Sequence, residues 1–342
     1  MFTHPEYDGH EAVLHAHDPE TGLRAIVALH STRLGPAFGG CRMYPYADPD
    51  QALTDALRLS KGMTYKAAIC ELPYGGGKSV VIADPRRDKS PALLRAMGRV
   101  IEGLGGRYIT ADDVGTTLAD LAVMREVTKH TAGATEAAQQ PLAVTAWGVL
   151  MATEAAVKHY YQRDDFQGLR FAVQGLGNVG YPLCEHLRDR GAALVVSDVD
   201  PARTARAAAE LEAEVVGPEA IYAQPADVLA PCALGAVLNE RTIPNLRVRL
   251  VCGGANNQLA EPRHDAMLAA RGIAFVPDYL ANAGGVIDFH MEAIDDSPAG
   301  VLAAVERIRD ITRDVLTRAA ASGETPLQVA DGIVRDRIRA PA

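Results

Sequence analysis

The sequence predicts a two-domain α/β fold in which a mixed α/β domain precedes a doubly wound parallel sheet. Three observations carry this. The chain has 342 residues, more than the roughly 100–200 usual for one domain. Its second half alternates short apolar runs with amphipathic segments, the pattern of a parallel sheet with crossover helices. Between Thr131 and Pro141 the periodicity lapses into small and polar residues, Gln139 and Gln140 among them, which marks a boundary. The domains are therefore expected at 1–135 and 136–322, with a last helical stretch over about 323–342 packing back on the first.

In chain order, Val13–His17 and Leu23–His30 read as strands joined by the turn Asp18-Pro19-Glu20-Thr21-Gly22. Asp48–Lys61 has helical spacing, with Ala52, Leu53, Ala56, Leu57 and Ser60 on one face. Ser79–Ala83 reads as a buried strand, 91–104 as a helix, Tyr108–Thr110 as a short strand and 118–128 as a helix. A helix over 145–161 then opens the second domain. Its strands are predicted at Arg170–Gln174, Ala193–Ser197, Val228–Ala230, Arg249–Cys252 and Ala274–Pro277, followed by helices over 300–321 and 326–339.

Composition narrows the class. Hydrophobic residues are 48% and charged residues 23%, enough to fill sizeable cores. A net charge of −9 argues against nucleic acid or an acidic membrane as partner, since both need a basic face. No apolar run reaches the ~18 residues of a membrane span. The first residues, Met-Phe-Thr-His-Pro-Glu-Tyr-Asp, lack the basic and then apolar regions of a secretory signal. Five scattered cysteines form no C-x-x-C pair, so neither a metal site nor a disulfide framework is suggested, and a reducing cytoplasm is expected.

Gly175-Leu176-Gly177-Asn178-Val179-Gly180 is a G-x-G-x-x-G turn, weak alone but here set between an apolar strand and an amphipathic helix, as a Rossmann domain requires. Gly175 permits the tight turn, Gly177 lets the backbone approach a pyrophosphate, and Gly180 lets helix and strand pack closely. The helix N-terminus offers unpaired N–H groups to the phosphates. A second strand ends at Asp198, placed to accept hydrogen bonds from the adenosine ribose, which favours NAD. Arg203 is placed to meet the 2′-phosphate of NADP instead, so both cofactors stay open, although a solvated helix-start arginine is the simpler reading.

The most unusual stretch runs from Lys61-Gly62-Met63-Thr64-Tyr65-Lys66-Ala67-Ala68 to Pro73-Tyr74-Gly75-Gly76-Gly77-Lys78-Ser79. A P-loop would need glycine at position 72, where Leu72 stands, so that reading fails. Three glycines before a lysine that opens a buried strand instead bring backbone close to a ligand and aim an amine into a low-dielectric cleft. Lys66 and Lys78 are candidates for one site. Two nearby, partly desolvated ammonium groups depress at least one pKa toward the range useful for acid–base work, while the other holds a carboxylate.

These stretches, with 34–42 (Leu-Gly-Pro-Ala-Phe-Gly-Gly-Cys-Arg), 110–116 (Thr-Ala-Asp-Asp-Val-Gly-Thr), 252–259 (Cys-Gly-Gly-Ala-Asn-Asn-Gln-Leu) and 282–286 (Asn-Ala-Gly-Gly-Val), resemble the glutamate/leucine/phenylalanine/valine dehydrogenases over nearly the whole chain. The length is closest to the leucine and phenylalanine branch. The resemblance implies NAD(P)-dependent oxidative deamination of an L-amino acid to the 2-oxo acid, with release of ammonia, in a homo-oligomer. It implies that Lys66 and the Gly39-Gly40 backbone bind the substrate carboxylate. Lys78 is then the general base that activates water, and Asp113 exchanges protons with the amino group; as a rival reading, Asp113 is a helix N-cap. Asn257 contacts substrate, Asn256 and Thr145 lie beside the nicotinamide, and Cys232-Ala233-Leu234-Gly235 lines the cofactor. Closure of a cleft between the domains would exclude bulk water.

By the same resemblance Phe38, Met63, Ala111, Val286 and Phe289 line the side-chain pocket, so an apolar or aromatic substrate is expected. Glu71, Asp288 and His290 depart from the family's usual residues. Were either carboxylate to reach the pocket, a basic substrate such as L-arginine would be matched. Two further alternatives are a pyridoxal-phosphate enzyme with Lys78 as its Schiff base, against which the fingerprint argues, and a non-catalytic nucleotide-binding sensor, which would be expected to have lost Lys78 or Asp113.

Overall fold

A computed structural model describes residues 2–133, 143–292, 294, 295 and 297–340; Gln139, Gln140 and Pro141 lie outside them. The chain divides into two compact units, Met1–Gln140 with Asp336–Ala342, and Pro141–Arg335.

The first unit holds β1 (Ala12–Asp18), β2 (Leu23–Ser31), β3 (Ala37–Tyr44), α1 (Pro49–Ile69), β4 (Gly75–Ile82), α2 (Pro91–Glu102), β5 (Tyr108–Asp112) and α3 (Leu118–Arg125). Its sheet runs β1-β2-β4-β3-β5, antiparallel between β1, β2 and β4 and parallel between β4, β3 and β5. Leu23, Val27, Leu29, Met43, Leu93, Met97, Ile101 and Met124 form the core on one face of the sheet with α2 and α3. Ile26, Ala28 and Val80 pack against Ala52, Ala56 and Leu57 of α1.

Two local features differ from the expected pattern. Helix α1 continues past Gly62 to Ile69, so Met63 and Lys66 sit on its last turns. Gly75, Gly76 and Gly77 do not precede the strand but form its first three residues. Glycine is a poor strand former, yet tertiary crowding demands it here. A methyl group at Gly76 would overlap the Thr64 backbone nitrogen of α1, and one at Gly77 would lie 2.7 Å from the Tyr108 ring. Strand β3 was not foreseen as a separate element, because Gly39 and Gly40 interrupt its apolar pattern.

The second unit holds α4 (Val144–Tyr161), β6 (Arg170–Gln174), α5 (Gly180–Asp189), β7 (Ala193–Ser197), α6 (Pro201–Leu211), β8 (Glu214–Val215), β9 (Val228–Pro231), β10 (Leu250–Val251), α7 (Arg263–Ala270), β11 (Ala274–Phe275), α8 (Asp278–Ala281), α9 (Gly284–Met291), α10 (Pro298–Ser322) and most of α11 (Pro326–Arg339). Its sheet, β11-β10-β9-β6-β7-β8, is parallel throughout. Strand order reverses at β6, with β7 on one side and β9 on the other. That reversal leaves a crevice at the carboxyl ends of the strands, the place where doubly wound sheets bind nucleotides.

Helix α11 divides between the units instead of packing wholly on the first, and the second unit runs past 322. Thr325 Oγ1 donates to Asp265 (2.5 Å) and Tyr279 Oη to Asp331 (2.8 Å), tying the start of α11 to the second unit. Arg337 near its end donates to the Ala68 and Ile69 carbonyls (2.6 and 2.9 Å), adding a side-chain cap to the last carbonyls of α1.

Candidate active site

In the first unit four elements bring the predicted residues together. Gly39 and Gly40 lie in β3, paired with Thr110 and Ala111 of β5. A methyl group at Gly39 would overlap the Gly77 carbonyl oxygen and lie 3.3 Å from Met63, and one at Gly40 would lie 2.8 Å from Asp113 Cβ. The glycines are therefore what lets β3, β4, α1 and the loop after β5 converge. Tyr108, fully buried, donates from its hydroxyl to the Gly39 carbonyl at 2.6 Å and holds the centre of this arrangement.

Lys78 and Asp113 form an ion pair through Asp113 Oδ2. Lys78 is buried at 5% exposure, and its pKa falls to about 7. Desolvation is the main cause, followed by repulsion from Arg42 and Lys66. The Asp113 carboxylate pulls the other way, favouring the charged amine. The Lys66 field at Lys78 places the two lysines in one electrostatic site. Asp113 is not a helix cap: Thr117 caps α3, in a capping box with Asp120. Thr116 instead anchors the Asp113 loop, accepting from Asp113 N at 3.0 Å and donating to the Cys41 carbonyl at 2.7 Å. Phe38 is buried with its ring 6.0 Å from that of Tyr74. Ala111 is half-buried on β5.

Glu71 is turned to another use, because Arg337 donates to its carboxylate. It is already matched by a guanidinium from the chain itself.

Two residues of this cluster were missed in the sequence. Arg42 donates from Nε and Nη2 to Asp113 Oδ1 (both 3.4 Å) and from Nη1 to Asp55 Oδ2 (2.8 Å). Asp55 also accepts from the Tyr46 hydroxyl at 2.5 Å. Arg42 stood in the quoted Gly39-Gly40-Cys41-Arg42 stretch without a role. Asp55 had no motif to reveal it.

In the second unit the glycine turn follows β6. Gly175 has φ +95°, and a methyl group there would lie 2.6 Å from Ala233 Cβ; at Gly180 it would overlap the Gly175 carbonyl and lie 3.1 Å from Cys232 Cβ. A methyl group at Gly177 would meet only Arg203 Nη1, at 3.7 Å. Helix α5 begins with no side-chain cap, and the buried Gln174 Oε1 and Ser197 Oγ at the ends of β6 and β7 have no hydrogen-bond partner. An open approach and uncapped N–H groups fit a dinucleotide phosphate, and the unpaired Ser197 hydroxyl is a further donor at the same end of the sheet. Leu176 is buried, whereas Asn178 is exposed and Val179 half-buried. Asp198 accepts from Leu176 N at 2.6 Å. Arg203 lies 3.8 Å from Asp198 and 3.5 Å from Asp200, so it is paired with carboxylates and not purely solvated.

Cys232, Ala233 and the exposed Leu234 follow β9, and Ala236 N donates to the Asn257 carbonyl at 2.7 Å. Asn257 is left-handed at φ 51°, and Asn256 accepts from Asn282 at 3.0 Å. Thr145 lies in the first turn of α4 against Gly284 and Gly285, which open α9. That helix carries buried Val286 with half-buried Asp288, Phe289 and His290. Burial raises the Asp288 pKa and lowers that of His290.

A parallel sheet with a glycine turn at its switch point, and a buried lysine–aspartate pair in a separate unit, define the class as a dinucleotide-dependent enzyme. Comparison with known proteins resolves it further. Residues 10–130 match the model of the Glu/Leu/Phe/Val dehydrogenase dimerisation domain, and 138–202 with 199–328 match that of Glutamate/Leucine/Phenylalanine/Valine dehydrogenase. The chain is 45% identical over 341 residues to a leucine dehydrogenase of Thermoactinomyces intermedius, covering 99% of this chain and 93% of the relative. It is 43% identical over 340 residues to a phenylalanine dehydrogenase of Bacillus thermotolerans, covering 97% and 89%. The crystal structure of L-tryptophan dehydrogenase from Nostoc punctiforme superposes with a TM-score of 0.81 at 43% identity, covering 96% of each chain. The chain belongs to the Glu/Leu/Phe/Val dehydrogenase family.

Proposed function

We propose that the protein is an NAD-dependent L-amino-acid dehydrogenase that oxidatively deaminates an apolar or aromatic amino acid to its 2-oxo acid and ammonia. The observation that carries this is the buried Lys78–Asp113 pair with Lys66 in its field, on the scaffold of this family. When bound, the dinucleotide supplies the hydride acceptor; Gly175–Gly180, Asp198, Thr145, the Cys232–Leu234 turn and Asn256 hold it.

Lys66 and the Gly39-Gly40 backbone bind the substrate carboxylate, and Asn257 orients the amino acid. Lys78, with its pKa near 7, takes a proton at Nζ from the water that adds to the imino carbon, passes it to the nitrogen of the adduct, and takes the hydroxyl proton as the C–N bond breaks; that last proton is the one the overall reaction releases to solvent. Asp113, joined to that amine through Oδ2, takes and returns the proton on the substrate nitrogen, so that ammonia leaves with its proton count balanced. A base tuned near neutral pH is what such a step needs. Phe38, Met63, Ala111, Val286 and Phe289 are apolar, which suits an aliphatic or aromatic side chain, and the relatives named above bear the names of leucine, phenylalanine and tryptophan. The arginine alternative loses its support at Glu71, which already faces Arg337.

The cytoplasm is the proposed location, supported by five cysteines that are scattered along the chain with no C-x-x-C pair, and a homo-oligomer is the proposed assembly, supported by the dimerisation-domain match. The test is a panel of the L-amino acids with NAD and with NADP, followed by the near-ultraviolet absorbance of the reduced cofactor. Turnover of leucine, phenylalanine or similar side chains with NAD is expected; silence with every substrate overturns the reading.

A further inference from the structure

Beyond the residues that meet substrate, the first unit contains a chain of polar contacts running outward from the reacting pair. Asp113 divides its two carboxylate oxygens: Oδ2 takes Lys78, while Oδ1 accepts from Arg42 Nε and Nη2 (3.4 Å each) and from Val114 N (2.5 Å). Arg42 is itself held, because Asp55 Oδ2 accepts from Nη1 at 2.8 Å and Asp55 is fixed in turn by the Tyr46 hydroxyl at 2.5 Å. All four partners are mostly covered, with side-chain exposures of 20% for Arg42, 26% for Asp55, 15% for Asp113 and 6% for Lys78. A guanidinium suits this place because its planar fork donates to two carboxylates at once, which a lysine ammonium does not reproduce.

We propose that Arg42, clamped by Asp55 and Tyr46, is a positioning residue for the deamination: it holds the Asp113 carboxylate by Oδ1 so that Oδ2 faces Lys78, and with Asp55 it sets the balance of charge around that amine. This rests on the reading of Lys78 and Asp113 as the reacting pair. The groups that bear on Lys78 come from three neighbouring elements, Cys41 and Arg42 from β3, Asp55 and Lys66 from α1, and Asp113 from the loop after β5; β2, which pairs with β4 at Ala28, adds none of them. Arg42 and Lys66 push the Lys78 pKa down, whereas Asp55 and Cys41 push it up. The clamp therefore contains two opposed charges, and its two ends make predictions of opposite sign.

The sign follows from removing each charge. Arg42→Met takes away a repelling cation, so Lys78 holds its proton more firmly and the basic form appears at higher pH. Asp55→Asn takes away a stabilising anion, so the basic form appears at lower pH. The measurement is the pH profile of kcat/KM for oxidative deamination of the substrate found in the amino-acid panel, with NAD in excess. Arg42→Met is expected to move the limb belonging to the base upward by about one unit and to lower kcat by roughly 10-fold or more; Asp55→Asn is expected to move it downward by a similar amount. Arg42→Lys keeps the charge but not the fork, so it keeps the limb near its original position and still loses kcat.

Limbs that stay in place, or that both move the same way, overturn the proposal, because a structural role lowers activity without opposed shifts. Should Arg42→Met fail to fold, the isosteric Asp55→Asn decides alone: a downward limb supports the clamp and an unmoved one sinks it. Lys78→Ala separates the two levels. Unmoved limbs alongside a dead Lys78→Ala leave the reaction assignment standing and remove only the clamp, whereas a fully active Lys78→Ala removes the assignment itself.

Discussion

In the proposed reading, the two units carry function by different physical means. In the second, much of the work falls to backbone: Gly175–Gly180 shapes a turn at the switch point of a parallel sheet, and no titratable side chain within that turn need change its charge. In the first, charged side chains do the work, and their chemistry depends on how deeply neighbouring elements bury them. Lys78 is an ordinary lysine until β3, β4, α1 and the Asp113 loop close around it; its pKa then falls to about 7, mainly by desolvation. Glycine geometry survives changes of pH and of neighbouring charge. A tuned amine does not.

The sharpest way to break this contrast is to remove the amine. Lys78→Ala is expected to lower deamination by roughly 10³-fold, within the usual range for a general base, while NAD titrated against the variant still binds. Substantial turnover, or loss of NAD binding with the fold intact, would mean the two functions are not divided as stated.

Within the glycine turn, position decides which property fails. Gly180→Ala forces a methyl group onto the Gly175 carbonyl and is expected to destabilise the protein by about 2–3 kcal/mol, read as a lower Tm. Gly177→Ala meets no backbone, so its Tm should barely move while the KM for NAD rises roughly 10-fold, about 1.4 kcal/mol of lost approach to the phosphates. Equal Tm losses in both variants would show that Gly177 serves packing and not a ligand.

Stability should also depend on pH through the first unit. His30 is buried at 8% exposure, with Nδ1 2.8 Å from Thr64 Oγ1 and its ring 4.9 Å from that of His10. Burial, reinforced by His10, lowers its pKa from 6.5 to about 4. Unfolded, the imidazole takes a proton near pH 6.5; folded, it refuses one until about 4. Stability is therefore full above pH 6.5, declines as pH falls toward 4 and levels off below, by about 3 kcal/mol in all. Denaturant titrations of wild type and His30→Gln across that window test it, since the variant should lose this part of the slope. Parallel curves would refute it.

The smallest expected effect is at Glu71. Because its carboxylate faces Arg337, Glu71→Gln should leave kcat/KM for leucine and for arginine within about 2-fold, as surface pairs contribute little. A selective change in arginine turnover would restore the basic-substrate alternative.

Much of the second unit was legible because its signals are local. Strands β6 and β7 end where their apolar runs end, at Gln174 and Ser197, and the turn between β6 and α5 follows from glycine spacing. The first unit was harder. Its Gly75–Gly77 strand runs against propensity, since it answers to α1 and Tyr108 across the sheet. Helix α1 outlasts Gly62 because Thr64, Tyr65, Ala67 and Ala68 are buried beyond it, and packing outweighs the roughly 1 kcal/mol cost of one glycine.

The amino-acid sequence alone determined the α/β class and the nucleotide turn, because motif spacing and periodicity are written along the chain, while its resemblance to a known family put forward Lys66, Lys78 and Asp113 as the residues to watch. Only the tertiary structure decided that Lys78 is desolvated against Asp113, that Arg42 and Asp55 stand behind them, and that Glu71 is already matched by Arg337. Those are matters of burial and of distances between residues far apart in sequence. Electrostatic energy depends on both, and neither is encoded in any local run of residues.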